Sequence, residues 1–582
     1  MTETTKQLEA TTRREFMLRS AAGAALLTGA SAASHGVAKQ PRRWTHKTDV
    51  LVIGSGAAAL AATIAIVQAG SSVTVVECAP VVGGTTAKSA GAFWIPNNHL
   101  MRAAGTADPK DDAIRYMVRD AFPARYRGDV PHLGIDENEY ALIEAYYDNS
   151  AQIIEALHTA GAIKPVVAPV YDYFDHTDLN KAPRGRALLP LKPDGTWGHG
   201  IELIHQLKDW LAGKSVTFLL KHRVTGIERN SKGEVLGVSA SAPEGNVLLR
   251  ARKAVVFGTG GYSQNQQLLR CFQPGPVHGA CSVPTAQGDF VKIGIEVGAM
   301  LGNMAHAWRS EVILEQALQS ASVAVTLEIP AGDSMMLVNK YGRRVVDEKR
   351  NYNVRGRTHF VFDETENEYP NDLLFMIYDQ RTAELFAGDM LLPEPGTSAD
   401  FVIIAPTLAS LAQAIQQRLQ SLEQKIGARA LGTNFLEGLQ AQIEQFNRDA
   451  RAGKDSQFRR GLYPYDLDWH KNVDSIERTD TRWPRNPGPN FTMYAFSEQG
   501  PYHAIIVGAG MLDTNGGPVI NPRAQVLDTH GRPIPGLYGA GNCVASPTGQ
   551  GYWGAGSTLG PALTFGTIAG RNAVLEPVKQ DI

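Results

Sequence analysis

A chain of 582 residues, 43% hydrophobic and 20% charged, with 58 glycines and 32 prolines, is globular and long enough for more than one domain. Its formal net charge of −2 excludes the basic field that nucleic acid or an anionic lipid surface demands, so a small ligand is the default partner. Cys78, Cys271, Cys281 and Cys543 fall in no CxxC or CxxCH spacing, which excludes a disulfide framework and leaves zinc and covalent haem unsupported; idle thiols are expected, although Cys271 and Cys281 could pair.

The N-terminal stretch TTRREFMLRSAAGAALLTGASAASHG carries Arg13-Arg14, Phe16 and a short apolar run from Ala21 to Ala33, the pattern of a twin-arginine signal peptide. A-S-A at 30–32 suits a small-residue cleavage site. Residues 1–46 are read as signal and linker, and the protein is expected in the periplasm. The run is too short for a spanning helix, and no stretch of roughly 18 apolar residues occurs elsewhere, so at most a peripheral membrane contact is expected. The twin-arginine route carries folded proteins, which suits a protein that takes up a cofactor before export.

Next comes TDVLVIGSGAAALAATIAIVQAGSSVTVVECA. Residues 50–53 read as a fully buried strand, 57–69 as a helix and 72–77 as a second buried strand. Gly54, Gly56 and Ala59 place G-x-G-x-x-A between strand and helix: Gly54 for the turn, Gly56 for the approach of a pyrophosphate to a helix opened by Ala57 and Ala58, and Ala59 for close packing. Glu77 ends the second strand about 20 residues on, where an acid accepts from ribose hydroxyls. The spacing predicts a dinucleotide site.

In PVVGGTTAKSAGAFWIPNN, Gly84, Thr85, Thr86, Ser89, Ala90, Gly91 and Ala92 supply a second glycine- and hydroxyl-rich loop. It can press backbone N–H groups against a pyrophosphate and the ring system beyond it. A nicotinamide enzyme would run into a simple crossover helix instead. The loop resembles that of the flavoprotein family containing fumarate reductases and 3-ketosteroid dehydrogenases, and the resemblance implies FAD. Three further segments agree. HRVTGIERN looks like the strand placing Val224 near the adenine, RARKAVVFGTGGYSQN turns at Gly258, Gly260 and Gly261, and PIPGLYGAGNCVA ends at Gly541-Asn542, the last contact before the flavin. The fold class is therefore α/β, a Rossmann-like FAD-binding domain of residues 47–305 plus 498–582. Residues 306–497, with short strands in MMLVNKYGRRVVDE, a helical stretch over 408–449 and Pro-rich loops, read as an inserted α+β catalytic cap.

Fumarate-reductase-like members carry an arginine in the C-terminal loop and a histidine after PY-x-A. Here GQGYWGAGSTLG has no arginine and Leu512-Asp513 stands in the histidine's place. GGTTAKSAGAFWIPNN, VNKYGRRVVDEKRNY, RAGKDSQFRRG, GLYGAGN and GYWGAGSTLGPALTFG instead resemble, in order, segments of the 3-ketosteroid Δ1-dehydrogenases. The resemblance implies that Tyr552 and the Gly556 N–H hydrogen-bond the C3 carbonyl, and that Tyr352 removes the C2 proton. Tyr173, with Tyr171 as the fallback, assists the base, and C1 gives hydride to the flavin, leaving a 1-en-3-one. Ser557, Thr558 and Leu559, at a helix begun near Pro561, would offer N–H groups to the flavin's pyrimidine edge.

Phe93, Trp94, Phe174 and Trp553 are expected to wall an apolar slot, His503 to line the cavity, and Glu348 and Arg350 to be solvated charges. The expected substrate is a hydrophobic cyclic ketone, a 3-ketosteroid, with a Δ4-(5α)-desaturating or cyclohexanone-type relative as the alternative. A non-catalytic flavin carrier is the reading from another class. A separate electron acceptor is required, a quinone being one option.

Overall fold

The computed structural model describes residues 43–175, 177–473 and 482–580. Arg13-Arg14 and the 30–32 cleavage motif lie outside the described residues.

Strand β1 (His46–Ile53) is followed by helix α1 (Ala57–Gln68) and strand β2 (Val73–Glu77). From Val50 onward β1 is buried on both faces, because a Val-Leu-Val-Ile run has no polar side to leave in water. It pairs in parallel with β2. The short helix α2 (Gly84–Lys88) and strand β3 (Phe93–Trp94) carry the second glycine loop. Strands β4 (Val216–Leu220), β5 (Arg223–Arg229), β6 (Val235–Ala242) and β7 (Gly245–Phe257) come next. Near the C-terminus lie β13 (Gln525–Leu527), β14 (Pro533–Gly539) and helix α7 (Leu559–Ala573).

Among the described residues these strands make an eight-stranded sheet in the order β13-β14-β7-β1-β2-β4, with β6 on β7 and β5 on β6. The β14-β7-β1-β2-β4 run is parallel. Helix α1, nearly all alanine and isoleucine where it is buried, packs against α7. The approach is so close that a Cβ on Gly566 would stand 2.2 Å from the carbonyl oxygen of Ala58.

A second sheet is built on strand β12 (Tyr502–Thr514), flanked antiparallel by β8 (Ala307–Ile313), β10 (Leu373–Asp379) and β11 (Val402–Ala405), with β9 (Met335–Val338) on β10. Helices α4 (Leu408–Ile426) and α5 (Phe435–Ala452) bury apolar faces with it, and helix α6 (Pro464–Val473) follows them in the chain. The stretch read as one helical run over 408–449 is thus two helices, parted at Gly427, whose φ of +75° no helix accommodates. Strand β12 lies within residues 498–582, expected to be FAD-binding, yet it is the centre of the second sheet. Helix α7 starts two residues before Pro561, which sits in the first turn, where a missing N–H breaks no helical bond. The four cysteines are free thiols. Among the described residues no helix is long and apolar enough to cross a membrane, and no group of His, Cys, Asp or Glu could hold a metal.

Candidate active site

Beyond the C-terminal ends of β1, β2, β7 and β14 opens one cavity of about 600 Å³, the position expected of ligands on open parallel sheets. Gly54, Gly56, Ala57, Ala58, Glu77, Gly84, Thr85, Thr86, Ser89, Ala90, Gly91, Ala92, Val224, Gly260, Gly541, Asn542, Thr558 and Leu559 all line it. Gly54 has φ +97°, and a Cβ there would stand 2.4 Å from the Gly258 carbonyl oxygen, so the turn needs glycine.

Hydrogen bonds between the loops make the cradle. The Ala57 N–H donates to Thr86 Oγ1 at 3.1 Å, joining the second glycine loop to the start of α1, where the N-cap Gly56 brings no capping side chain. Ser55 Oγ donates to Glu77 Oε2 at 2.6 Å and accepts from the Gly83 N–H at 3.0 Å, while Glu77 Oε1 accepts from the Ala79 N–H at 2.7 Å. Asp513 accepts from the Gly261 N–H at 3.0 Å, Ser263 Oγ at 2.5 Å and Asn542 Nδ2 at 2.9 Å, so one carboxyl ties the turns after β7 and β14 to the end of β12. Burial raises its pKa, and these donors oppose the rise.

Ser55 and Asp513 were missed in the sequence. The signals were a hydroxyl inside G-x-G and an acid closing a long buried strand. Ser557 is a correction. Its side chain is fully buried, accepting from the Gly554 N–H at 3.0 Å and donating to the Gly554 carbonyl at 2.9 Å, and its own N–H donates to that carbonyl at 3.1 Å, so it braces the loop and does not line the cavity.

At one part of this cavity Tyr173, Tyr352, Tyr552 and Gly556 come together. Tyr352 opens the short helix α3 (Tyr352–Arg355), capped by Asn351 Oδ1, which accepts from the Val354 N–H at 3.0 Å. Asn351 Nδ2 and Arg350 Nη2 donate to the Tyr173 carbonyl at 3.3 and 3.2 Å, so the segment before one tyrosine holds the backbone of the other. The Tyr173 N–H donates to the Trp553 carbonyl at 3.2 Å. Its neighbour Asp172 accepts from Trp94 Nε1 at 2.8 Å and Arg186 Nη1 at 2.6 Å, and Arg186 also binds Asp108 at 2.6 and 2.8 Å, all without solvent.

The Tyr173 hydroxyl donates to the Tyr352 hydroxyl at 2.7 Å. The Tyr552 ring stacks on Tyr173 at 5.1 Å and meets Tyr352 edge-on at 5.5 Å. Burial pushes Tyr173 and Tyr352 well above the ordinary phenol value and Tyr552 up to about 12, although the Tyr352 hydroxyl, the Thr558 hydroxyl and the Gly556 N–H each pull Tyr552 down. Gly556 has φ +98°, and a Cβ on it would lie 2.4 Å from the Phe93 backbone nitrogen. Tyr171 packs on the tyrosine cluster without lining the cavity, with the Arg184 guanidinium 3.8 Å over its ring.

Four further expectations are corrected. Phe93, Trp94 and Trp553 are fully buried behind the loop, Trp94 and Trp553 packed at 5.4 Å, because each indole N–H found a partner in the core. Phe174 packs on the tyrosine cluster without lining the cavity; Trp469 and Leu512 line it instead. His503 faces a second cavity, stacked on Tyr378 at 4.9 Å and bonded to Gln380 Oε1 at 2.8 Å. Glu348 is fully buried between Arg344, at 2.8 and 3.0 Å, and Arg460, at 3.1 Å, and Arg350 pairs with Asp466 at 2.9 Å, so neither is a solvated charge.

A parallel sheet whose strand ends converge on a glycine-lined cradle, with an acid at the end of β2 and paired phenols at the far part of the cavity, defines an FAD-dependent oxidoreductase. The donor set fits that cofactor: backbone N–H groups and hydroxyls for the pyrophosphate, and the Glu77 carboxyl for a ribose. The model of the FAD binding domain family matches residues 49–559, and the chain belongs to that family. It is 31% identical to a 4-oxocyclohexanecarboxylate 2-dehydrogenase of Sinomonas cyclohexanicum, over 90% of this chain and 92% of that protein. It is 28% identical to a 3-oxosteroid 1-dehydrogenase of Mycolicibacterium smegmatis, over 90% and 96%. The solved 3-ketosteroid Δ1-dehydrogenase of Sterolibacterium denitrificans shares the fold, with a TM-score of 0.75 at 24% identity over 91% of this chain and 100% of that one.

Proposed function

We propose that the protein desaturates a cyclic ketone next to its carbonyl, introducing the C1=C2 double bond of a 3-ketosteroid. The observation that carries this reading is the convergence of the Tyr552 hydroxyl and Gly556 N–H beside the bonded Tyr173–Tyr352 hydroxyls in one cavity. Two donors held in place polarise the carbonyl and stabilise the enolate-like charge on its oxygen, a contribution of roughly 3 kcal/mol each in comparable oxyanion sites. Tyr352 takes the proton from the adjacent carbon. A phenol raised by burial is a weak base at rest, and the bond to Tyr173 raises Tyr352 further in the resting pair; once Tyr352 loses its proton, the Tyr173 hydroxyl donating to it stabilises the phenolate. FAD, held by the glycine loops, Thr85, Thr86 and Glu77, supplies the hydride acceptor when bound.

A smaller ring is the second reading, favoured by the 31% identity to the oxocyclohexanecarboxylate enzyme; the Δ4-(5α)-desaturating alternative draws on the same tyrosines. Export by the twin-arginine route to the periplasm belongs to the same proposal and rests on Arg13-Arg14 and its surroundings, while a separate electron acceptor, such as a quinone, is required because a reduced flavin must be reoxidised for turnover. The test is anaerobic addition of androst-4-ene-3,17-dione to the purified holoenzyme while the flavin absorbance is followed. Bleaching with formation of the 1,4-diene supports the steroid reading. Bleaching by cyclohexanone alone moves the substrate to the small ring, and no bleaching by either removes the reading.

A further inference from the structure

Besides Glu77, Asp289 and Asp513, the wall of the same cavity carries Glu328, on the loop that leads from Thr326 toward Pro330. Its backbone is pinned. Arg355 Nη2 donates to the Glu328 carbonyl at 3.3 Å, while the guanidinium forms a fully buried ion pair with Glu311 at 2.7 and 2.8 Å. The arginine that fixes this loop therefore has its charge matched by Glu311. Among the described residues no hydrogen bond reaches the Glu328 carboxyl. Lys88, also on the cavity wall, is turned to Ser322 Oγ at 3.2 Å and the Val323 carbonyl at 3.1 Å. Asp289 is paired with Arg223. Burial raises Glu328, with only Arg355 opposing, and its negative field reaches Tyr173, Tyr352 and Tyr552 alike.

We infer that Glu328 sets the charge of the ketone this site accepts, admitting neutral rings and excluding those that carry a carboxylate. The inference rests on the ketone reading above and deepens it. A second anion near Glu328 would meet an acid whose opposing charge, Arg355, is already matched by Glu311, and the two anions would repel. On this inference the chain differs in substrate charge from the relative named for 4-oxocyclohexanecarboxylate, although the two are 31% identical.

The experiment compares 4-oxocyclohexanecarboxylate with its neutral methyl ester on the holoenzyme at pH 8, reading Kd from the flavin difference spectrum and kcat/KM from turnover. The wild type is expected to favour the ester by about tenfold or more, mainly in Kd and KM. The variant Glu328→Gln is expected to raise the acid-to-ester ratio by about tenfold. The ester, having the same ring, controls for any general damage in the variant. Equal binding of acid and ester by the wild type, or an unchanged ratio in Glu328→Gln, overturns the inference while leaving the ketone reading intact. Failure of the ester, cyclohexanone and the steroid alike to bleach the flavin removes both together.

Discussion

The Tyr173 hydroxyl donates to that of Tyr352 at 2.7 Å across 179 residues of sequence, and the two rings meet edge-on at 5.4 Å. If Tyr352 is the base, Tyr352→Phe should lower the rate of flavin reduction by about a hundredfold or more, and Tyr173→Phe by about ten- to a hundredfold, with KM little changed in either. The pH profile gives the sign. A base must be unprotonated, and burial holds Tyr352 well above the ordinary phenol value of about 10, so kcat/KM should climb through pH 7–10 without levelling. A plateau reached near pH 7 would mean that another group takes the proton. Single-turnover reduction at each pH is the measurement.

If Tyr552 and Gly556 act on the carbonyl as proposed, their loss should appear in the chemical step. Tyr552→Phe is expected to cost about 10²- to 10³-fold in kcat while the flavin spectrum is unchanged. Gly556→Ala combines a strained φ of +98° with a Cβ 2.4 Å from the Phe93 nitrogen, so the loop must move and the melting temperature should fall along with activity. Retained activity in Tyr552→Phe would remove the phenol from its proposed role.

The Ser55–Glu77 bond of 2.6 Å fixes the acid at the end of β2 and, through the Gly83 N–H, the loop opposite. Ser55→Ala takes away a buried donor and leaves the Glu77 carboxylate short of one hydrogen bond, which costs about 1–3 kcal/mol. FAD should dissociate at least about tenfold more readily, read as a lower flavin-to-protein absorbance ratio after gel filtration. An unchanged ratio would assign the bond to strand packing alone.

Arg186 carries two fully buried carboxylates, Asp108 and Asp172, and Asp172 precedes Tyr173. Arg186→Met would leave both acids unpaired and should destabilise the fold by about 3–5 kcal/mol. Thermal unfolding of the holoenzyme tests this, and a shift of only a degree or two would show that the pair adds nothing net.

The dinucleotide cradle was legible because each part of it is local: a glycine turn, a buried strand and an acid at its end leave a contiguous signature, and β1, α1 and β2 fall where the pattern put them. Tyr173 and Tyr352 could be named only through resemblance, since a phenol pair 179 residues apart has no periodicity to betray it. Glu348 was misread for a related reason. A charge in DEKRNY looks solvated until Arg344 and Arg460, the latter from a distant loop, are seen to enclose it. Trp94 and Trp553 were misplaced because an aromatic near a site reads as a wall, whereas an indole with its N–H satisfied can be core.

Asp120 links the Tyr552 loop to pH. Burial pushes its carboxyl up to about 7, against the pull of Arg357 and of the Tyr552 backbone N–H. The folded pKa therefore lies above the unfolded value near 4. Between the two, the unfolded chain ionises while the folded one still holds the proton, so this group's contribution to stability falls as pH rises from about 4 to about 7, and changes no further above that. Asp120→Asn, which imitates the protonated form, should gain in melting temperature relative to the wild type across that window and keep a constant difference at higher pH. Melting curves of the two proteins at half-unit steps measure it, and parallel curves from pH 4 to 8 would show that Asp120 ionises alike in both states.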